Sequence, residues 1–324
     1  MADLEPRTNR SLAKKSGGLA LPAMIDDGGR RARRRFVEFF TAQIRNPNTR
    51  AAYGRAVRQF FAWCDGRGLT SLEQLEPVVI AAYIEQHPGS KPTQKQHLAA
   101  LRMLFDWLVT GHVLEINPAG SVRGPKYSAK RGKTPVMTPD QARQLFDSID
   151  TSTIIGLRDR ALISVMVYSF ARVGAVVAMQ VQDYYPDGKR WWFRLHEKGG
   201  KRHEVPAHHS AEEYVDAYLE AGGIADEKRT PLFRAVDRRR NLSPRPLHRT
   251  DVLLMVKRRV KAAGLPAAIC NHTFRATGIT AYLDNGGTLE KAQQIAAHES
   301  ARTTKLYDRT DDTLTLDEIE KIAI

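Results

Sequence analysis

Cysteine is scarce. The 324-residue chain has two, Cys64 and Cys270, far apart and outside any CxxC spacing, which argues against a disulfide framework or a zinc ribbon and leaves two buried thiols as the expectation. Long hydrophobic runs are also lacking. The apolar stretches break within a few residues, far short of the roughly 20 needed to span a bilayer, and the amino terminus has no signal-peptide core. The chain therefore reads as soluble and cytoplasmic, with no membrane partner. A nucleotide phosphate loop is missing too: Gly132-Lys133-Thr134 resembles the end of one, but Tyr127 stands where the motif needs its glycine. The histidines at 196, 203, 208 and 209 have no HExxH pattern, no cysteine and no carboxylate arrangement beyond Glu197 and Glu204. There is no GxSxG elbow, no Gly-rich dinucleotide fingerprint and no fixed-period repeat. Neither a metal nor a cofactor is expected.

Positive charge is what the chain has in excess. Lys and Arg number 50 against 36 Asp and Glu, a net charge of +14, and the pI is about 9.9. Such a surplus favours a polyanionic partner, and with no membrane segment the partner is nucleic acid.

The length suggests two domains, and 42% hydrophobic content is enough for a core in each. Residues 1–35 lack periodicity and end in Arg30-Arg31-Ala32-Arg33-Arg34-Arg35, a flexible basic arm that either lies on phosphates or keeps the chain in solution. Residues 36–116 read as a helical domain. One helix starts from Asn48 as cap and buries Tyr53, Val57, Phe60, Phe61 and Cys64 until Gly66 and Gly68 stop it. Another starts at Pro92-Thr93 and buries Leu98, Leu101, Leu104, Phe105 and Leu108, leaving Lys95, His97 and Arg102 outside. Residues 117–135 are rich in glycine, proline and basic side chains, among them Lys126, Lys130 and Arg131. They form either a linker tracking a DNA backbone or a solvated connector.

Residues 136–324 read as mostly helical with one small sheet. Thr138-Pro139-Asp140 opens a helix, and residues 157–170 form a buried one. Asp187-Gly188 is a hairpin turn, and strands Arg190–His196 and Arg202–Pro206 are joined through Lys198-Gly199-Gly200-Lys201. Helices are expected near 211–221, 248–263, 273–285 and 288–297, with an amphipathic tail over 314–323. The fold class is mainly α.

The last fifth of the chain carries the string His272-Thr273-Phe274-Arg275, then Ala297-His298, then Thr304-Lys305-Leu306-Tyr307. His272 and Arg275, at i and i+3 on a helix, share a face and can clasp one phosphoryl group. Upstream, Arg172 follows the apolar run 161–171 and Lys198 rides on the hairpin. Taken singly, each has a bland structural explanation: a helix-end cap, an exposed turn lysine, a satisfied histidine, a half-buried tyrosine. All six in this order, in a strongly basic chain, do not.

In order and approximate spacing these residues resemble the tyrosine recombinase, or phage integrase, family, over about residues 36–323. The resemblance implies a core-binding domain followed by a catalytic domain, the two closing on duplex DNA as a clamp. It also implies site-specific cleavage and rejoining of DNA through a 3′-phosphotyrosyl intermediate without ATP or metal. The implied assembly is a homo-tetramer in the synapse and a monomer or weak dimer when free, with accessory DNA-bending proteins as further partners. Residues 312–324 resemble the family's exchange tail, which docks on a neighbouring protomer; packing on its own domain is the other reading.

A phenol ionises only at about pH 10, so Tyr307, as nucleophile, needs cations that favour phenolate and neutralise phosphate. Arg172 and Arg275 supply paired donors to the nonbridging oxygens. Lys198 is the candidate general acid for the leaving 5′ oxygen. His272 either takes the tyrosine proton or binds phosphate, and His298 donates to a nonbridging oxygen. Two positions depart from the family: Ala175 stands where an acidic residue usually follows the first arginine, and Ala297 replaces a glycine. DNA contacts are expected from Arg31, Arg33, Lys95, Arg102, Lys126, Lys130, Arg131, Lys257 and Arg258, mostly to phosphates. A type IB topoisomerase-like nicking-closing enzyme and a non-catalytic DNA-binding protein with the same fold are the alternatives.

Overall fold

The computed structural model describes residues 21–128, 132–197 and 200–308. The chain divides after Ser128 into two compact units. The first is helical: α1 (Ala23–Asp27), α2 (Gly29–Glu38) continuing as a π-helical turn over Phe39–Gln43, α3 (Pro47–Asp65), α4 (Pro77–Gln86) and α5 (Lys91–Thr110). Phe36, Phe39, Phe60, Phe61, Leu101 and Phe105 fill its core.

Four expectations need correction here. The arginine cluster is part of α2: Ala32 and Phe36, four residues apart, point inward and are buried, while Arg33 pairs with Asp26 at 2.7 Å and Arg34 with Glu38 at 2.8 Å. A helical stripe one residue wide on each turn is easily hidden in sequence by the charges around it. The cap of α3 is Asn46, whose side chain accepts from the Asn48 and Thr49 amides, because Pro47 fits the first helical position better than the interior. His97 faces inward, 6% exposed, with Nδ1 2.8 Å from the Tyr83 hydroxyl. The segment from Asn117, expected as a linker, begins as packed chain: Ala119 and Val122 belong to the core, and the Arg102 guanidinium donates to their carbonyls.

The second unit is built around α7 (Ile154–Tyr168), buried along almost its whole length. It is preceded by α6 (Pro139–Asp147), whose Thr138 cap and Gln141 form a reciprocal capping box. After α7 come α8 (Val173–Val177), β1 (Tyr184–Asp187), β2 (Arg190–His196) and β3 (Arg202–Pro206), the strands forming one antiparallel sheet in that order. Phe193 pairs with Tyr184 on one side and Val205 on the other, so the inward positions of each strand stack on the helices. Then follow α9 (His209–Gly222), a second hairpin of β4 (Arg234–Val236) and β5 (Leu242–Pro246), α10 (Arg249–Ala262), α11 (Asn271–Asp284), α12 (Leu289–Ile295) and α13 (Ala301–Lys305). The sheet is thus accompanied by a second, two-stranded one, which the sequence hides because Pro244 and Pro246 interrupt any strand pattern.

A buried ionic knot ties this unit together. Asp159, 1% exposed, takes the Arg158 guanidinium at 2.7 Å and Arg259 from α10 at 2.8 Å, while Arg158 also donates to the Arg234 carbonyl at 2.9 Å. Gly278 lets α11 approach α7, since a Cβ there would stand 2.1 Å from the Val167 carbonyl oxygen.

Candidate active site

The end of α7 places Arg172. Phe170 takes a left-handed backbone, φ +54°, which is costly for a bulky residue. Two contacts offset the strain. The Phe170 carbonyl accepts from the Arg275 guanidinium, and its ring packs with Ile279, Tyr282 and Tyr307 in a small separate core. The chain then runs directly into Arg172, the N-cap residue of α8. Its Nη1 meets Glu197 Oε2 at 2.5 Å, the guanidinium side chain being 37% exposed and the carboxylate side chain 4%.

Arg275, one turn into α11, is 2% exposed. It donates to the Phe170 carbonyl and, at 2.6 Å, to the Ala296 carbonyl. Burial and then Arg172 pull its pKa down to about 10, with Tyr307 and Glu197 opposing. It stays a cation at neutral pH, fixed by backbone on two sides.

His298 follows α12, which ends in a Schellman arrangement: Ala297 N donates to Gln294 O at 3.0 Å and His298 N to Gln293 O at 3.1 Å. Ala297 occupies the left-handed position, φ +46°, where its Cβ costs some strain that glycine would avoid. The His298 ring is 7% exposed. Its Nδ1 lies 2.9 Å from Thr304 Oγ1, and its plane lies within 10° of the Tyr307 ring at 5.7 Å between centroids. Burial first, then the charges of Arg275 and Arg172, hold its pKa near 4, leaving the ring neutral at pH 7.

Tyr307 comes just after α13. Its amide donates to the Thr304 carbonyl at 2.9 Å, and its carbonyl accepts from Thr280 Oγ1 at 3.0 Å. His272, at the second position of α11, is open to solvent. Its pKa is nonetheless lowered, by the protein around the ring and then by Arg275 and Arg172. Both guanidinium charges are therefore felt at both histidines, and Arg172, His272, Arg275, His298 and Tyr307 surround one region of the second unit. Lys198 lies outside the described residues; the flanking Glu197 amide donates to the Lys201 carbonyl at 2.9 Å.

The residues expected to contact DNA divide. Lys95, Lys126 and Arg258 are exposed, and Arg31 and Arg33 lie on the outer face of α2, Arg33 in its ion pair with Asp26. Arg102 and Lys257 are engaged inside the protein instead, Lys257 donating to the Ala267 and Ile269 carbonyls, because their long stems let the charged heads turn back onto loop carbonyls. Lys130 and Arg131, and the tail 312–324, lie outside the described residues. Sequence reasoning missed the site roles of Glu197, Phe170 and Thr304. Only Thr304 had a signal, its place three residues before Tyr307.

Residues 135–313 match the phage integrase family, and residues 34–112 match the N-terminal SAM-like domain of phage integrases. The chain belongs to the phage integrase family. Among its relatives within this family of tyrosine recombinases, XerD of Listeria monocytogenes serotype 4b is 28% identical over 264 residues, covering 80% of this chain and 87% of that protein. XerC of Thermodesulfovibrio yellowstonii is 28% identical over 273 residues, covering 82% and 86%. The fold is shared with the XerH site-specific recombinase in a post-cleavage complex with palindromic difH (TM-score 0.68, 20% identity, 84% and 79% of the two chains). It is likewise shared with a lambda integrase dimer bound to a COC′ core site (TM-score 0.66, 19% identity, 87% and 97%). No helix among the described residues is long and apolar enough to cross a membrane.

Proposed function

We propose that this phage integrase family member is a site-specific recombinase that breaks and rejoins duplex DNA as a homo-oligomer, with Tyr307 as nucleophile. The observation that carries the assignment is the buried Arg275, pinned by two carbonyls beside Tyr307 and His298. A cation fixed in that way has no freedom to lose when a phosphate arrives, so its donors act fully on charge that develops in the transition state. XerD and XerC, named tyrosine recombinases, favour this reading over a topoisomerase-like or a non-catalytic protein. A lambda integrase tetramer bound to a Holliday junction favours a tetrameric synapse.

In the proposed reaction Tyr307 Oη attacks the phosphorus and the bond to the 5′ oxygen breaks, leaving a 3′-phosphotyrosyl bond. His272, kept neutral by its low pKa, has a lone pair for the phenol proton. Lys198 returns a proton to the leaving 5′ oxygen. Arg172 and Arg275 bind the nonbridging oxygens. When the Thr304 hydroxyl donates to His298 Nδ1, the ring carries its hydrogen on Nε2 and donates it to the phosphate as well. A second DNA 5′ hydroxyl reverses these steps, because the phosphotyrosyl ester conserves the energy of the broken linkage.

The test is covalent trapping. Protein is incubated in EDTA with nicked duplexes tiled from the DNA flanking its coding region, denatured, and compared with Tyr307→Phe. The expected outcome is an adduct that requires Tyr307 and withstands EDTA. DNA binding without an adduct would replace the recombinase reading with the non-catalytic one.

A further inference from the structure

Glu197 is used by nothing in the reaction described above, yet it is the most deeply buried carboxylate at the site. Its side chain is 4% exposed, and its partner Arg172 is the solvent-facing member at 37%. A carboxylate so buried is costly without a counter-charge, so the pairing at 2.5 Å is a demand of the fold as well as a contact. The backbone gives the carboxylate little freedom. The Glu197 amide donates to the Lys201 carbonyl at 2.9 Å, and the Glu197 carbonyl accepts from the Gly200 amide at 3.2 Å. Glu197 therefore shifts only if the end of the β2–β3 hairpin opens. Position 175, three residues after Arg172 and also buried, offers a methyl group that cannot pair. Among the described residues Glu197 is the one carboxylate in an ion pair with Arg172.

We infer that Glu197 is the positioning residue for Arg172: a carboxylate anchored at the hairpin end holds the guanidinium at the phosphate site, a task Ala175 cannot perform. The inference rests on the reading of Arg172 as a phosphate-binding group. One Nη of Arg172 is committed to Glu197, and the remaining N–H groups of the planar fork stay available to a nonbridging oxygen. The carboxylate also lets two guanidinium groups share one site before DNA arrives, since its charge supports Arg275 as well as Arg172. Because Glu197 directly precedes Lys198 in the chain, the anchor of one phosphate-binding group and the candidate general acid occupy adjacent positions.

The experiment measures single-turnover cleavage of a nicked duplex by the full chain over a range of protein concentrations. Glu197→Gln preserves shape and removes charge. It is expected to lower the saturated cleavage rate by up to about 100-fold, the cost of misplacing a catalytic group by roughly an ångström, while half-saturation stays within about 2-fold. Glu197→Asp should keep more of the rate, and adding Ala175→Glu to Glu197→Gln should recover part of it; if that double variant does not fold, Glu197→Asp alone carries the comparison. A wild-type saturated rate in Glu197→Gln overturns the inference, and so does a loss that only tracks weaker DNA binding or less folded protein. A separate arm needs no turnover. In a double-mutant cycle of thermal unfolding, Arg172→Ala and Glu197→Gln should be non-additive, and additivity overturns the inference. A wild-type protein that forms no adduct would refute the recombinase reading, while the cycle would still decide whether Glu197 holds Arg172.

Discussion

Each unit of the molecule contains a buried histidine with a pKa held near 4, and the two have opposite meanings. His97 in the first unit and His298 in the second are 6% and 7% exposed, and each places Nδ1 against a hydroxyl, Tyr83 at 2.8 Å and Thr304 at 2.9 Å. Burial is the leading cause of the low pKa in both. The second cause separates them. For His97 it is another histidine, His87, whose ring lies 4.2 Å away; for His298 it is the pair Arg275 and Arg172. A histidine depressed by a neighbour of its own kind is a satisfied core residue. One depressed by two permanently charged guanidinium groups stands where an anion belongs, so the permanence of the neighbouring positive charge, more than burial or pKa, marks a functional group.

The sharpest way to break this comparison is to remove each ring. His298→Ala should reduce adduct formation by about 100-fold or more, as loss of one fixed donor to a developing oxyanion does. His97→Ala should leave the cleavage rate per folded molecule unchanged and lower stability by about 2–3 kcal/mol, through lost packing and an orphaned Tyr83 hydroxyl. Trapping assays and denaturant unfolding on both variants check this. Equal loss of cleavage in the two would dissolve the distinction.

A second test uses acid. Both rings titrate at about 6.5 when unfolded and near 4 when folded, so below pH 6.5 the unfolded chain binds protons that the folded one refuses. Stability should be full above pH 6.5 and fall progressively down to pH 4, by about 3 kcal/mol for each ring at one pKa unit per 1.4 kcal/mol. Unfolding followed from pH 7.5 to 4.5 should show a shallower slope for His97→Ala than for wild type, and an unchanged slope would contradict the assignment.

The smallest expected effect concerns the turn that carries His298. Ala297→Gly relieves the left-handed strain of alanine but adds unfolded-state entropy, so a net gain of about 0.5 kcal/mol is expected. A melting temperature lower than wild type would mean that the alanine methyl contributes packing beyond its backbone cost.

Much of the fold was legible from local chemistry. The capping box at Thr138 and Gln141, the strands Arg190–His196 and Arg202–Pro206, and the apolar run that became α7 each carry their signal within a few neighbouring residues. The signal failed where partners are remote. His97 looked like an outer-face residue because its polarity is visible in sequence and its Tyr83 partner is not. The arginines of α2 looked like a mobile arm because its two inward positions, Ala32 and Phe36, are outnumbered by charge. Arg102 and Lys257 looked free because the carbonyls they meet lie 10 to 20 residues away.

The same division runs through the site. Sequence alone named the groups of the proposed chemistry, since residue types and their order single out the candidates to bind phosphate, move protons and attack: two arginines, two histidines, a lysine and a tyrosine. Tertiary structure decided how those groups are held. The strained turn at Phe170 presents a carbonyl to Arg275, the left-handed Ala297 sets His298 parallel to Tyr307, and Glu197, 25 residues beyond Arg172, supplies its carboxylate. The physical reason is that reactivity belongs to a side chain's own functional group, whereas burial, charge pairing and backbone strain arise between segments that meet only when the chain has folded.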